Sequence, residues 1–277
     1  MTSLPTPLAS AAWLAAELGA PDLVPVDASW YLPLAGRDPR TEFFGAHIPG
    51  AVFWDLDALS ATGTDLPHMM PAPAMLAEQV GGLGISAEDR VVVYDGSGNN
   101  LSAARVWWML RALGHRDVAV LDGGFAAWRA GGNRVEAGAP ARRPVAYAVS
   151  PPTAAFLDRA RLEEGLAHGR FQVLDARSRG RFEGSEPEPR TGVRSGHIPG
   201  SLNLPYPDLV NPDGTLRSPD ELSRLFEQAG LDLDQPVVTS CGSGVSACAL
   251  ILALEVIGHQ AHAVYDGSWA EYGRVDG

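Results

Sequence analysis

Cys241 stands where a short apolar strand pattern meets a glycine-containing turn. Residues 237–240 read Val-Val-Thr-Ser, and residues 241–247 read Cys-Gly-Ser-Gly-Val-Ser-Ala before an apolar stretch typical of a helix. A cysteine in this position faces several backbone N–H groups and a helix N-terminus, both of which stabilise a thiolate. The pattern therefore predicts a nucleophilic sulfur that needs no metal ion.

The elements around Cys241 alternate between strands and helices. We predict strands at 172–174, 237–240 and 262–265, and helices over 219–228 and 246–257. The first of these helices has Ser218 as its N-cap and Pro219 at its first position, and the second ends at Gly258. This alternation indicates an α/β fold with a parallel sheet covered on both faces. Ligands of such sheets bind at the carboxyl ends of strands, where Cys241 falls.

The second half of the chain repeats the first. Four matches occur in the same order at offsets between 144 and 150 residues, which indicates an internal duplication of a whole domain. The matched pairs are 45–51 with 195–201, 26–28 with 174–176, 91–98 with 237–244, and 121–125 with 265–269. A proline-rich segment separates the two halves. We predict a first domain over 1–138, a linker over 139–153 and a second domain over 154–277.

The composition excludes several classes of function. The 277 residues carry a net charge of −12, which argues against binding to nucleic acid. Cys241 and Cys248 are seven residues apart and poorly placed for a disulfide, no apolar run reaches the roughly 18 residues of a membrane span, and the N-terminus lacks a signal-peptide pattern. We therefore expect a cytoplasmic location and no membrane association. Without a Cys-x-x-Cys pair or a histidine cluster, we expect no metal and no other cofactor.

The residues just described resemble those of tandem rhodanese homology domains, and most closely the 3-mercaptopyruvate sulfurtransferases. The family marks are the His-Ile-Pro-Gly turns at 47–50 and 197–200, the Asp-Gly-Gly-Phe and Asp-Gly-Ser-Trp turns at 122–125 and 266–269, and the loop that starts at Cys241. Ser246 replaces the threonine of the family loop and keeps its hydroxyl. The resemblance implies two α/β domains, each a mainly parallel sheet flanked by helices. It also implies a Cys241 persulfide cradled by Gly242, Ser243, Gly244, Val245, Ser246 and Ala247.

The residues after Cys241 distinguish members of this fold by charge. Gly242 and Ser243 are neutral, whereas the thiosulfate sulfurtransferases of the family usually carry basic residues there, which suits a dianion. The related phosphatases need an arginine six positions after the cysteine, and Ala247 occupies that position here. The loop therefore favours the mercaptopyruvate enzymes and argues against a phosphatase.

Arg181 and Arg190 match the family segment that binds the substrate carboxylate. Their guanidinium groups suit a carboxylate because the two planar groups form paired hydrogen bonds. From composition alone, they would be surface arginines paired with acidic neighbours, for which Glu183, Glu186 and Glu188 are the candidates. The motif match favours the substrate-binding role.

The first half has no sulfur nucleophile, because Asp95 occupies the position that corresponds to Cys241. It does contain Asp57 and His68, which match positions that mercaptopyruvate enzymes are proposed to use together with the loop serine, here Ser243. Such a chain would move a proton to or from the substrate. The alternative is that His68 fixes a proline-rich loop and Asp57 caps a helix.

The resemblance implies transfer of sulfur from 3-mercaptopyruvate to a small thiol, thioredoxin or cyanide, with release of pyruvate. A thiosulfate:cyanide sulfurtransferase and a non-enzymatic persulfide carrier are the alternatives. The remaining candidates have structural interpretations: His47 and His197 as hydrogen-bonded turn residues, and Cys248 as a buried helix residue or a partner for oxidised Cys241.

Overall fold

Two parallel sheets organise the chain in this computed structural model, which describes residues 3–32, 35–139 and 142–275. In the described residues ten strands form two five-stranded sheets, and all hydrogen-bonded neighbours run parallel. The strands are β1 Leu8–Ala9, β2 Leu23–Asp27, β3 Val52–Phe53, β4 Arg90–Tyr94, β5 Val118–Leu121, β6 Phe156–Leu157, β7 Gln172–Asp175, β8 Leu202–Asn203, β9 Val237–Ser240 and β10 His262–Tyr265.

Ten α-helices accompany these strands in the described part of the chain, together with a short 3-10 helix at Tyr206–Leu209. The helices are α1 Ala11–Glu17, α2 Pro39–Gly45, α3 Pro73–Gly82, α4 Leu101–Ala112, α5 Gly124–Ala130, α6 Arg159–Ala167, α7 Arg179–Glu183, α8 Pro219–Gln228, α9 Ala247–Val256 and α10 Ser268–Tyr272.

The strand orders of the two sheets are the same. The first sheet has the order β1-β5-β4-β2-β3 and the second has β6-β10-β9-β7-β8, so each strand of the second sheet has its counterpart five strands earlier. This common order confirms the α/β fold with two similar, parallel-sheet domains.

Local signals explain where the helices around the second sheet begin. The Ser218 side chain accepts from the backbone of Glu221 while the Glu221 side chain accepts from that of Ser218, and Pro219 occupies the first turn. This capping box satisfies N–H groups that a helix N-terminus leaves without partners, so α8 forms over the predicted residues. Helix α9 is one residue shorter at each end than predicted. None of the described helices is long and apolar enough to cross a membrane.

The chain forms two compact units whose boundaries do not follow a single cut of the sequence. Residues 61–70 belong to the second unit, although they lie in the first sequence half, and residues 212–216 belong to the first. Unit 1 comprises Met1–Ser60, Pro71–Ala154 and Pro212–Leu216, and unit 2 comprises Ala61–Met70, Ala155–Asn211 and Arg217–Gly277. The limits 1–138, 139–153 and 154–277 stay a prediction about the duplicated segments, and linker residues Pro140 and Ala141 lie outside the described part.

Each unit has its own apolar core against its sheet. In unit 1, helix α4 is buried over most of its length and includes Trp107 and Trp108, while Trp128 packs in a cluster with Tyr94 and Phe43. In unit 2, the core cluster comprises Leu162, Val173, Ile198, Val238, Tyr265 and Trp269. Burial of these aromatic and branched side chains stabilises the sheets that place the loops at the strand ends.

Candidate active site

Cys241 follows β9 directly, at the carboxyl end of a central strand of the second sheet. Its N–H donates to the Oγ of Ser268 at 3.1 Å, and its carbonyl accepts the N–H of Trp269 at 2.9 Å. Ser268 adopts a φ of 47°, which is rare for a residue other than glycine, and its hydroxyl donates to the Tyr265 carbonyl at 2.9 Å. The turn at 266–269 therefore holds the backbone of Cys241 in place. The thiol is free and buried.

The cysteine loop, residues 241–247, leaves backbone donors available near the sulfur. In the part of the chain that the structure describes, the N–H groups of Gly242, Ser243, Val245 and Ser246 donate to no backbone or side-chain acceptor. Gly244 has a φ of +76°, a conformation in which a side chain would be strained. A buried N–H without a partner costs free energy unless an anion or water accepts from it, so this loop suits a thiolate or a persulfide anion.

The corresponding loop of unit 1 contains a carboxylate that is bound by backbone N–H groups. There the carboxylate of Asp95, itself buried, accepts the N–H groups of Ser97, Ser102 and Ala103 at 2.9, 3.0 and 2.9 Å. The loop of unit 1 thus encloses an anion of its own, with the carboxylate where unit 2 has the cysteine. This contact supports the prediction that unit 1 has no second sulfur site, since Asp95 has no thiol and its carboxylate fills the loop.

The guanidinium groups of Arg181 and Arg190 both lie beside Gly242. A Cβ atom built on Gly242 would be 3.1 Å from Nη2 of Arg181 and 3.6 Å from Nη1 of Arg190. The structure therefore brings together the two arginines that the sequence selected, next to the predicted nucleophile. The missing side chain at position 242 is what leaves room for them.

Arg181 is also ion-paired, in a network that the sequence did not reveal. Its Nη2 donates to Oε2 of Glu188 at 2.6 Å, and Oε1 of Glu188 accepts from Nη1 of Arg177 at 2.6 Å. Arg177 in turn binds Asp175 at 2.7 Å. Burial opposes the charge of Arg177, but the contacts with Asp175 and Glu188 outweigh it and raise the pKa of Arg177. Of the three acidic residues proposed as partners of the arginines, Glu188 is the one that binds Arg181.

Arg190 differs from these arginines because it forms no ion pair with any described residue. Burial lowers the pKa of its guanidinium, the nearby Cys241 raises it, and the charge of Arg181 lowers it again. A half-buried guanidinium without an ion-pair partner, beside a cysteine, is chemically suited to an anionic group.

His68 lies against the cysteine loop in unit 2. Its Nδ1 is 3.1 Å from the Oγ of Ser243, and both side chains are buried. Its φ of 58° is unusual for a residue other than glycine. Two residues later, the N–H of Met70 donates to Oδ2 of Asp266 at 2.7 Å and anchors the segment. Two members of the predicted proton relay, His68 and Ser243, are therefore in hydrogen-bond contact.

Asp57 belongs to unit 1, where its carboxylate accepts from Nε1 of Trp30 at 3.2 and 3.3 Å. Its part in the relay stays a prediction. The remaining candidates have contacts that fit structural roles. His47 and His197 bind backbone carbonyls through Nδ1 at 2.7 and 2.8 Å, and Cys248 is fully buried in α9 with its Sγ 3.4 Å from the Gly244 carbonyl.

Comparison with known proteins gives the family. The model of the Rhodanese-like domain matches residues 10–131 and 158–274. A rat protein named 3-mercaptopyruvate sulfurtransferase is 44% identical over 96% of this chain and 91% of its own length. A thiosulfate sulfurtransferase from Cricetulus griseus is 40% identical over 96% of this chain and 91% of its own length.

A solved structure agrees with this assignment. SseA from Escherichia coli, described as a 3-mercaptopyruvate sulfotransferase with the rhodanese fold, superposes with a TM-score of 0.85 at 36% identity, covering 98% of this chain and 100% of SseA. Both domain matches coincide with the two halves of the duplication. The chain therefore belongs to the rhodanese-like family, with two domains of that family in tandem.

Proposed function

We propose that this chain is a 3-mercaptopyruvate sulfurtransferase that works through a persulfide on Cys241. The name and 44% identity of the rat relative support the substrate, and the geometry around Cys241 supports the chemistry. Small-molecule sulfur donors and acceptors are the substrates that this family implies. The acceptor that we propose is a small thiol, thioredoxin or cyanide. The free thiol of Cys241 fits a reducing cytoplasm, where we place the protein.

The observation that carries the proposal is the charge balance beside the loop. Three arginines face two carboxylates in the network of Asp175, Arg177, Arg181, Glu188 and Arg190, so one guanidinium, that of Arg190, is left without a carboxylate partner. One guanidinium without a carboxylate partner suits the single carboxylate of 3-mercaptopyruvate better than a dianion such as thiosulfate. The neutral side chains at 242 and 243 add no further positive charge.

Arg190 and Arg181 orient the donor in this proposal. The unpaired guanidinium of Arg190 binds the substrate carboxylate, and Arg181, which uses Nε and Nη2 on Glu188, offers Nη1 to the carboxylate or the keto oxygen. Glu188 in turn fixes the plane of the Arg181 guanidinium. The substrate sulfur is thereby held near Cys241, which lowers the entropic cost of the attack.

The first step transfers sulfur to the enzyme. The Cys241 thiolate attacks the sulfur of 3-mercaptopyruvate and forms an S–S bond, while the C–S bond breaks and its electron pair goes to carbon. The product is the enolate of pyruvate, which takes up the proton that the substrate thiol loses. We assign the movement of this proton to Ser243 and His68, which are 3.1 Å apart, with Asp57 as the further member.

The second step returns the enzyme to its starting state. The unpaired N–H groups of the cysteine loop stabilise the persulfide anion on Cys241. An acceptor thiolate attacks the outer sulfur, the S–S bond breaks, and the electron pair returns to Cys241 as a thiolate. The acceptor leaves as a persulfide, or as thiocyanate when it is cyanide.

The experiment that tests the proposal is a single turnover without acceptor. On mixing with 3-mercaptopyruvate, we expect intact-protein mass spectrometry to show the addition of one sulfur atom, peptide mapping to place it on Cys241, and pyruvate to appear in equal amount. Pyruvate release without an added sulfur, or sulfur on Cys248, would contradict the mechanism.

A further inference from the structure

Unit 1 contains a cavity of about 500 Å³ that the sulfur chemistry of unit 2 does not use. Asp27 at the end of β2 and Phe125 in α5 line it, and Arg129 contributes an exposed side chain. The duplication supplies a direct comparison, because the same place in unit 2 is filled by the side chain of Arg177.

Asp27 and Asp175 correspond in the two sheets and have the same local geometry. Oδ1 of Asp175 accepts the N–H of Arg177 at 2.8 Å, and Oδ1 of Asp27 accepts the N–H of Ser29 at 2.9 Å. In unit 2, Oδ2 of Asp175 then binds the Arg177 guanidinium at 2.7 Å. Serine at position 29 provides no cation, so Asp27, which is 4% exposed and contacts the side chains of Ser29 and Tyr94, forms no ion pair with a described residue.

The other contacts of Arg177 also have counterparts around the cavity. Its guanidinium binds the Gly196 carbonyl at 2.8 Å and lies 4.8 Å from the centre of the Trp269 ring. The sequence repeat places Ala46 at the position of Gly196 and Phe125 at that of Trp269, and both line the cavity. Unit 1 therefore keeps an aromatic ring, Phe125, and a backbone position, Ala46, at the places that contact Arg177 in unit 2, although it has no arginine there.

An ion pair of unit 1 resembles that of Arg181 and Glu188, although Glu42 does not occupy the sequence position of Glu188. Glu42 accepts from Nε of Arg37 at 2.8 Å through Oε1 and from Nη2 at 2.5 Å through Oε2, as Glu188 accepts from Arg181 through the same pair of atoms. Oε1 of Glu188 additionally accepts from Arg177. Glu42 lines the cavity, and its Oε2 also accepts the Tyr31 hydroxyl at 2.8 Å, so Oε1, which accepts from Arg37 alone among the described residues, is the atom that a ligand can share.

We propose that this cavity binds a small guanidino acid, with its guanidinium group between Asp27 and Glu42 and its carboxylate at Arg129. The guanidinium takes the position that Arg177 has in unit 2 and stacks on Phe125. Arg129 forms no ion pair with any described residue and is exposed, so it can bind the carboxylate end of the ligand. The cavity volume exceeds that of a molecule the size of arginine, so ligand and water fit together.

Calorimetric titration of the full chain with three probe ligands tests the proposal. We expect L-arginine to bind saturably, agmatine to bind more weakly because it lacks the carboxylate, and L-citrulline not to bind because its side chain is neutral. The titration is made near neutral pH, above the pKa of about 6 that burial gives Asp27. Equal binding of citrulline and arginine, or no saturable binding of arginine, would overturn the proposal.

Three variants locate the site. Ser29→Arg restores the arginine of unit 2 and should abolish binding of arginine and agmatine by filling the cavity. Asp27→Asn should weaken arginine binding by about 10-fold or more, the loss expected for a charge-assisted contact. Arg129→Ala should reduce arginine affinity to that of agmatine. Unchanged arginine affinity in both Ser29→Arg and Asp27→Asn would exclude this cavity, and sulfur transfer by Ser29→Arg reports whether that variant is folded.

Discussion

The carboxylate of Asp266 accepts the backbone N–H of Met70 at 2.7 Å, two residues after His68. Asp122, which holds the same position in the repeated turn of unit 1, accepts the backbone N–H of Leu216 at 2.7 Å. In each unit this aspartate binds the short segment that comes from the opposite half of the sequence. The repeated turn therefore anchors this segment in each unit, and in unit 2 the anchored segment carries the histidine that contacts the cysteine loop.

Removal of the Asp266 carboxylate should displace His68 and leave Arg181 and Arg190 in place. We expect Asp266→Ala to lower kcat for 3-mercaptopyruvate by about 10-fold or more, as for a misplaced acid–base group, with a smaller change in KM. The pH–rate profile should lose the same limb that Ser243→Ala loses. Asp122→Ala is the matched control. A pH–rate profile for Asp266→Ala that equals that of wild type would show that His68 takes no part in proton transfer.

Substitution of the nucleophile should stop sulfur transfer from every donor. We expect Cys241→Ser to retain less than about one thousandth of the wild-type rate, because the hydroxyl is a far weaker nucleophile at neutral pH. Steady-state pyruvate and acceptor assays measure this. Cys248→Ser is the control, because unit 1 has a buried serine, Ser102, at the corresponding position of helix α4. Similar losses in both variants would contradict the assignment of Cys241.

Arg190 should determine the affinity for a charged donor. We expect Arg190→Ala to raise KM for 3-mercaptopyruvate by about 10- to 100-fold, since a charge-assisted contact is lost, while KM for an uncharged sulfur donor changes little. Arg190→Lys keeps the positive charge but loses the planar guanidinium group, so its KM for 3-mercaptopyruvate should lie between those of wild type and Arg190→Ala. Equal effects on charged and uncharged donors would show that Arg190 does not bind the carboxylate.

The sequence predicted the parts of the site that depend on local signals. Cys241 follows a strand and precedes a helix as expected, because β-branched residues favour the strand and the small residues of 242–247 favour a turn. The helix at 219–228 was predictable from its capping residues. The motif match placed Arg181 and Arg190 together.

The sequence did not predict the partners of those arginines. Which of Glu183, Glu186 and Glu188 binds Arg181 depends on the path of a turn-rich segment, and no periodicity specifies that path. Glu186 instead accepts from the Ser178 hydroxyl at 2.8 Å. The exchange of residues 61–70 and 212–216 between the compact units is also invisible to local patterns, because it depends on tertiary contacts.

Asp27 should make the protein less stable as pH rises. Burial raises the pKa of Asp27 from 3.8 to about 6, the contacts with Ser29 and Tyr94 lower it, and the charge of Asp95 raises it. The folded state therefore holds a proton that the unfolded chain releases near pH 4, so stability is lost as pH rises from about 4 to 6. The difference corresponds to about 3 kcal/mol.

Asp27→Asn should remove this loss. By urea denaturation we expect the variant to be about 2 to 3 kcal/mol more stable than wild type at neutral pH, with the advantage disappearing toward pH 4. Glu42, which also borders the cavity, has the opposite shift, because its hydrogen bonds with Arg37 lower the pKa of its carboxyl group. A stability difference that does not depend on pH would show that Asp27 ionises normally.

The most direct measurement is steady-state turnover of 3-mercaptopyruvate and thiosulfate side by side, with one acceptor at one concentration. The single guanidinium without a carboxylate partner, that of Arg190, and the neutral residues at 242 and 243 predict a higher kcat/KM for 3-mercaptopyruvate, with pyruvate formed in step with the sulfur transferred. A higher kcat/KM for thiosulfate would contradict the charge argument, and absence of turnover with both donors would favour a persulfide carrier over an enzyme.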